Sequence, residues 1–403
     1  MADRYRPFKY DIKAEFNKND GEDTTPIEIP QNTIMNVIID HDYYGKVTPI
    51  IWVMLKIPSP LLDIMVKHAD TGTIILTIDK HTVDINNNFI PIERGRYIRD
   101  EFVYFINKNR NTLKDTQYEE GNERDIPDEI YIDITIGLLK LECINKNKKI
   151  INTVYRNCTL TDIILYNTRH RKLLMEPLDN KNIYKEIIIP PIETISGLIK
   201  YLDDNYNLYN SPHMYYMDLD KSYLLSSSGK NIKSSGDEIE SVFINMRNPK
   251  GLVGKIQGAH KDEEKYIFES DTEFGMYYRD NITDNKFNTI VCVDSEGNKK
   301  EFQLDLNSFG GSTKKYRLDR VMSLNKGNII KNKIELPKTL FRISKNDLDA
   351  SILTPNKSYY VYNEDLEDKK YDGQYILSEK KEVFIKSGDI FEHNAILLLR
   401  KLS

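Results

Sequence analysis

Along most of the chain the apolar positions recur at every second residue, the spacing of strands with one buried face. "GTIILTIDK" (Gly72 to Lys80) and "EIYIDITIGLLKLECIN" (Glu129 to Asn145) both follow it. In the second, Ile130, Ile132, Ile134 and Ile136 fall on one face. "NTIVCVDSEGNKKEFQLDL" (Asn288 to Leu306) predicts a hairpin, two β-rich arms around a polar Asp-Ser-Glu-Gly-Asn turn. One segment departs from the alternation. "PPIETISGLIKYLDDNYNLY" opens on two prolines, offers Thr194 as an N-cap and sets Ile195, Leu198, Ile199 and Leu202 at helical spacing. Beyond it Pro212 blocks continuation of the helix, Met214 to Met217 predicts a strand, and a second strand resumes at Tyr223. The intervening "DLDK" (Asp218 to Lys221) therefore occupies a tight hairpin connection. Polar punctuation falls at Lys108 to Arg124, Ser226 to Gly236 and Asn325 to Asn332. Nothing repeats at the period of about 20 to 50 residues that marks a solenoid.

The bulk numbers narrow the class. A chain of 403 residues is too long for one ordinary core and predicts about two to four domains. With 30% charged and 39% hydrophobic residues it has the balance of a folded chain, not a disordered one. The 26 tyrosines suit strands and wet interfaces, since one end of the ring packs while the hydroxyl keeps a polar partner. A formal net charge of -5 argues against a duplex nucleic-acid binder, whose footprint is a basic face. Cys143, Cys158 and Cys292 are odd in number and share no metal-ligand spacing. Cys143 and Cys292 lie in apolar runs and are expected as small buried hydrophobes, with no disulfide framework. The opening "MADRYRPFKYDIKAEF" is charged, and no window approaches the roughly 18 apolar residues of a membrane span. The expectation is a soluble protein made in a cytoplasm, without signal peptide or membrane span.

Candidate chemistry is sparse. Asp218 and Asp220 stand two apart, and on a strand two such carboxylates point the same way and could share a divalent cation. Aspartate is also a favoured turn residue, because its carboxylate bonds nearby backbone N–H groups, and the turn is the stronger expectation here. His41 beside Asp42, and His170 in "NTRHRKLL", invite a general-base role, yet no nucleophile elbow or reactive-cysteine context accompanies them. The seven histidines are scattered singly, as solvated or satisfied imidazoles are. "RHRK" (Arg169 to Lys172) could meet a phosphate, but four residues in an acidic chain are more simply a solvated loop. The doublets Tyr215–Tyr216 and Tyr359–Tyr360 suggest carbohydrate stacking only superficially. On a strand, adjacent side chains face opposite ways, so each doublet predicts one core and one surface or interface position. No zinc signature, phosphate loop or dinucleotide fingerprint is present. Catalytic, cofactor-binding and metal residues are all expected to be none, and the chain is expected not to be an enzyme.

The arrangement of passages resembles the baseplate hub proteins of contractile-tailed bacteriophages and related contractile injection systems. Three passages carry the resemblance. The helix-then-strands unit "IPPIETISGLIKYLDDNYNLYNSPHMYYMDLDKSYLL" (Ile189 to Leu225) is similar to the hub's inserted α/β segment, which ends in a short Asp-rich turn. The C-terminal passage Ile352 to Leu402 carries Leu353, Thr354 and Pro355 entering a strand, then Gly373 and Tyr375 in the next. Asn356 stands where hub barrels have glycine, a departure that turn geometry tolerates. Ile27 to Lys80 is similar to the opening strands of the hub's first barrel, with a polar turn between "MNVIIDHD" and "TPIIWVMLKI".

The resemblance implies a mainly β fold with an α/β insertion: two similar β-barrel domains plus smaller inserted domains, assembled as a homotrimeric ring. The implied domains are 1–165, the first barrel; 166–235, the inserted α/β domain; 236–330, a return to the first barrel with a small hairpin domain; and 331–403, the second barrel. Chain near Ser241 to Ile256 is where that return is expected. The implied role is a structural virion protein that adapts a sixfold tail tube to a trimeric central spike and forms part of the DNA ejection channel. Its implied partners are two further copies of itself, the central spike protein, the tail tube or tube-initiator protein, baseplate wedge components and the tape measure protein. DNA would pass through without specific binding, and the acidic balance would keep phosphates from sticking to the wall. The implied location is the tail baseplate of a virion assembled in the host cytoplasm, and no cofactor is implied. Two other functions share the tyrosine-rich β composition: a receptor- or carbohydrate-binding tail protein, and a tail-associated cell-wall hydrolase. The first more often carries repeats or a fibrous stalk, and the second needs a catalytic constellation. A plain cellular β-domain protein is the remaining alternative.

Overall fold

Long alternating stretches make strands that need partners on both edges, and here most partners lie far away in sequence. The computed structural model describes residues 8–19, 25–83, 89–107, 131–169, 172–209, 211, 213–227, 241–246, 260–262, 265–270, 287–293, 299–305, 322–323, 340–346, 350–363 and 372–402. The three punctuating segments, Pro212, His170, Arg171 and the turn of the Asn288–Leu306 hairpin fall wholly or largely outside them.

The N-terminal part supplies β1 (Phe8–Asn17), β2 (Ile27–Ile29), β3 (Ile34–Asp42), β4 (Ile50–Pro58), α1 (Ser59–Lys67), β5 (Thr73–Val83), β6 (Phe89–Ile106) and β7 (Tyr131–Lys140). Next come α2 (Leu141–Asn147), β8 (Lys148–Cys158), α3 (Leu160–Thr168), β9 (Leu173–Met175), β10 (Tyr184–Thr194), α4 (Ile195–Tyr206), β11 (His213–Met217) and β12 (Ser222–Ser226). The remainder is β13 (Ser241–Met246), β14 (His260–Asp262), β15 (Lys265–Ser270), β16 (Phe287–Val293), β17 (Lys299–Asp305), β18 (Met322–Ser323), β19 (Leu340–Asn346), β20 (Ser358–Asn363), β21 (Gly373–Ser387) and β22 (Ile390–Lys401).

The antiparallel pairings run β3–β4–β7–β6–β5–β1–β22–β21 and return from β21 to β3. The first seven strands of the chain, less β2, are thus closed into a circuit by the last two. Closure removes the free edges that an open sheet of such apolar strands would expose. Alternate side chains fill the interior: Ile12, Ala14 and Phe16 from β1, Val37 and Ile39 from β3, Val53 and Leu55 from β4, Ile74, Leu76 and Ile78 from β5. Leu61 and Met65 of α1 join the same core.

β21 and β22 are long enough to leave this ring and continue into a second sheet. β20 pairs with the start of β21 (Tyr359 opposite Tyr375), and β19 pairs with the end of β22 (Ile343 opposite Leu397). β13 lies parallel between β20 and β15, and β14 follows β15. The described part of the Ser241–Ile256 passage is β13, so it belongs to this second sheet. A second core gathers Val242, Ile244, Ile343, Tyr359, Val361, Tyr375, Leu377, Leu397 and Leu399. One hairpin therefore serves two hydrophobic bodies with no linker between them.

Between the two halves sits the α/β insertion, where β8 pairs with β10 and a three-stranded sheet runs β11–β12–β9. α4 begins at Thr194, whose Oγ1 accepts from the Gly197 N–H at 3.0 Å, and it buries Ile195, Leu198, Ile199 and Leu202 in a third core. α3 opens with a capping box between Thr159 and Asp162, and those hydrogen bonds hold the Asp162 carboxyl below its usual range. β16 and β17 form the expected hairpin.

The strand expected through Asn145 ends at Lys140. Leu141–Asn147 is the helix α2, in which Cys143 is buried and Glu142 pairs with Lys146 four residues on. Seven residues with this apolar pattern fit either period, and the Glu-to-Lys pair favours the helix. The fold is mainly β: the ring and the second sheet are hydrogen-bonded into one 14-stranded sheet through β21 and β22, and the α/β insertion adds its own smaller sheets.

Candidate functional site

The three cores meet at the hairpin β11–β12. Met214 and Tyr216 of β11, with Tyr223 and Leu225 of β12, lie in the second core. Leu224 belongs to the third core and Tyr215 packs against it. Leu219, at the tip of the turn, packs against the core of the ring. Strand alternation is the cause, because successive side chains leave opposite faces and each face meets a different body. The doublet Tyr215–Tyr216 is thereby divided between two cores. Tyr359 is buried, while Tyr360 stacks on Phe243 with ring centroids 5.0 Å apart.

The turn itself is closed by the Asp218 N–H donating to the Lys221 carbonyl at 2.8 Å. Asp218 Oδ1 accepts from the Leu219 N–H at 2.8 Å, a bond from the aspartate to its own turn. The backbone of the turn is gripped from outside. Lys140 Nζ donates to the Leu219 carbonyl, and the Cys143 thiol lies 3.6 Å from the Asp218 carbonyl. The Met217 N–H donates to the Val47 carbonyl at 2.7 Å, and the Ser222 N–H to the Lys172 carbonyl at 3.0 Å. Asp220 lies at the rim, where partial burial and the neighbouring Asp218 push its carboxyl up from its ordinary range. Among the described residues no group of three His, Cys, Asp or Glu side chains has an arrangement that could hold a metal.

Beneath the turn lies a cluster that the alternation alone did not reveal. Lys380 and Glu382 stand two apart on β21 and share the inward parity of Phe384. Glu382 is 1% exposed. Lys380 Nζ lies 3.0 Å from Glu382 Oε1 and donates to the Ala350 carbonyl at 3.0 Å. His41 of β3 brings Nε2 to 3.4 Å from Glu382 Oε1, and His393 of β22 brings Nε2 to 3.4 Å from Oε2. The Tyr97 hydroxyl of β6 donates to Oε2. Burial by itself would push the Glu382 carboxyl up; Lys380 and the two histidines override it and hold the group well below the usual carboxylate range.

His41 also links this cluster to the turn. Its Nδ1 lies 3.2 Å from the Tyr216 hydroxyl and 3.6 Å from Asp218 Oδ1. Asp42 leaves the opposite face of β3, where its Oδ1 accepts from the Gly45 N–H at 2.7 Å, so His41 and Asp42 form no acid–base pair. Burial, then the Asp218 charge, raises the phenols of Tyr43 and Tyr216 well above their ordinary value. Lys140 pairs with Asp100 at 2.9 Å and Glu142 at 3.4 Å. An open cleft of about 510 Å³ runs along this junction, with Arg99, Asp100, Lys140, Asp218, Lys380 and Glu382 in its walls.

The chemistry of the cluster is that of a fastener. A general base works best with a pKa near the working pH, whereas the Glu382 carboxyl is held well below its ordinary range and its oxygens lie within 3.4 Å of Lys380, His41, His393 and the Tyr97 hydroxyl. The residues joined are those of β3, β6, β21 and β22, so the cluster ties four strands of the ring together at the seam with the second sheet. Of the "RHRK" run, Arg169 lies over the Tyr166 ring at 5.1 Å, and the Lys172 carbonyl receives Ser222. His170 and Arg171 lie outside the described residues.

A family model described as Bacteriophage PBS1 gene 109 protein matches residues 8–402. No curated protein matches the chain. Among solved structures it is similar to a tail protein from Neisseria meningitidis MC58, with a TM-score of 0.48 and 11% identity over 97% of this chain and 96% of that one. It is similar also to the 43 kDa tail protein of prophage MuSo2 from Shewanella oneidensis, with a TM-score of 0.45 and 10% identity over 98% of both chains. A chain of the half-lidded Francisella PdpA–VgrG complex gives a TM-score of 0.41 and 11% identity over 98% of this chain and 58% of that one.

Proposed function

The chain belongs to the family of the Bacteriophage PBS1 gene 109 protein, and on that premise we propose that it is a structural protein of the phage tail, the hub of the baseplate. In this role it forms a homotrimer, and each copy brings two barrel bodies, so that the ring offers six similar bodies to the tail tube and three to the central spike. The first body is taken as residues 8–140 closed by the hairpin of β21 and β22, the second as the sheet that splays from the same hairpin, and residues 141–227 as the insertion. The proposed neighbours are the spike, the tube or its initiator, wedge components and the tape measure protein, with DNA crossing the channel unbound. The protein acts by shape and contact and not by catalysis.

The observation that supports this most is the hairpin β21–β22 shared by the ring and the second sheet. An adaptor between tube and spike has to pass load between two bodies without a hinge. Two strands continuous through both bodies do that better than a linker, because bending them breaks ladder hydrogen bonds in both sheets at once. The Glu382 cluster lies at the seam, where shear between the bodies would concentrate. The test is the mass of the purified protein in solution, alone and with its cognate spike. A trimer in either condition agrees with the hub; a monomer in both overturns it.

A further inference from the structure

His41 is the side chain that faces an acid of the ring and an acid of the insertion at once. It stands on β3 opposite Lys380 of β21, with 3% of its side chain exposed. Its Nε2 lies 3.4 Å from Glu382 Oε1, and its Nδ1 lies 3.6 Å from Asp218 Oδ1. Glu382 belongs to a strand of the ring, and Asp218 to the turn that the insertion presses onto it. A neutral imidazole has a single N–H, so one of its nitrogens turns a lone pair towards a carboxylate. A ring protonated on both nitrogens presents a donor and positive charge to each acid.

The surroundings leave one positive charge wanting. Lys380, 3.0 Å from Glu382, is the cation for that acid. His393 of β22 and Tyr97 of β6 meet Glu382 on its other oxygen. Lys140 of β7 is engaged by Asp100, Glu142 and the Leu219 carbonyl. Arg99, Asp220, Lys221 and Tyr223 stand further along the cleft. Tyr43 stacks on the His41 ring with centroids 5.7 Å apart, and the Tyr216 hydroxyl lies 3.2 Å from Nδ1. Burial keeps both phenols neutral. Asp40, Asp42 and Glu379 lie on the outer face of the two strands, where Lys46 and the Gly45 N–H meet the aspartates. Glu382 and Asp218, with 1% and 11% of their side chains exposed, thus have one buried lysine between them. His41 is placed to balance the second acid.

We propose that His41 carries a proton on each ring nitrogen when the turn is docked, and that it acts as a pH-sensitive latch between insertion and ring. Docking of the Asp218–Lys221 turn then takes up a proton. Linkage fixes the sign: the contact is tight on the acid side of the imidazole range and slackens as pH rises through it. The Met217 N–H on the Val47 carbonyl and Leu219 in the core of the ring hold the turn without any imidazole. Raising the pH therefore loosens the turn while the fold persists. All the groups belong to one chain, so the latch works whatever the oligomeric state.

The test follows amide exchange over Met217–Ser222 in the full chain at about pH 6 and about pH 9, a span that covers the imidazole range. Rates are corrected for the intrinsic pH dependence of exchange. Asp218→Asn is the main variant, because its amide oxygen keeps an acceptor for the Leu219 N–H while the charge is lost. The expected protection in the parent is about tenfold greater at the lower pH, the effect of one unit of proton linkage. The difference disappears in Asp218→Asn and in His41→Gln, and persists in His393→Gln. Ring-nitrogen chemical shifts of His41 give a second reading, with both nitrogens protonated at the lower pH and the change of state moved to lower pH in Asp218→Asn. Equal protection of the parent at the two pH values overturns the proposal. So does a pH dependence that survives in Asp218→Asn, which assigns the titrating group elsewhere.

Discussion

Glu382 is the residue on which the junction depends. A buried ion pair contributes little net stability beyond an apolar replacement, but removing one partner leaves the other charged and unpaired in the interior. Glu382→Gln strands Lys380 in this way and is expected to cost about 3–5 kcal/mol in urea unfolding. Replacing Lys380 and Glu382 together by Met and Leu is expected to cost clearly less. The pH dependence has a definite sign. Because the folded carboxyl is held below its unfolded value, its stabilisation is present above the ordinary glutamate range and is lost as pH falls through the folded value, in strong acid below about pH 4. Asp220 runs the other way. Its raised carboxyl favours the protonated form in the folded state, so its charge opposes docking of the turn at neutral pH. Asp220→Asn is accordingly expected to melt slightly higher than the parent at pH 7, and the difference should vanish once the pH drops below the carboxylate range.

At the scale of elements, the hairpins set the register of both sheets. Gly388 opens the two-residue loop between β21 and β22 with φ 65°, a conformation that costs a branched side chain about 1–3 kcal/mol. Gly388→Val is therefore expected to destabilise the chain by that amount and to loosen both sheets together, visible as faster amide exchange in β3 and β19 alike. Thr194→Ala removes the cap of α4 and should cost about 1 kcal/mol in thermal unfolding. The helix α4 and the Asp218–Lys221 turn were legible in the sequence because their causes are local: a cap, a 3.6-residue period, a proline, an aspartate that bonds its own backbone. The short helix α2 was not, since Leu141–Asn147 satisfies two periods. Lys380 and Glu382 were not legible as a site either. Their partners His41, Tyr97 and His393 come from β3, β6 and β22, and no local spacing brings those strands together. What could have marked them is their position, two charges on the inward parity of a strand that continues into Phe384. The closing of the first ring by the last hairpin was equally hidden, because strand order is a long-range property.

In the whole molecule, one chain carries two β bodies fused through β21–β22, and in the proposed hub three such chains make the adaptor at the base of a phage tail. The ring and second sheet should therefore resist pulling or protease as one unit. The most direct measurement is averaged electron-microscope images of the purified protein, alone and with its cognate spike. The expected images show a threefold torus with a face that looks sixfold, the spike seated on one side. Compact single chains under both conditions would contradict the hub.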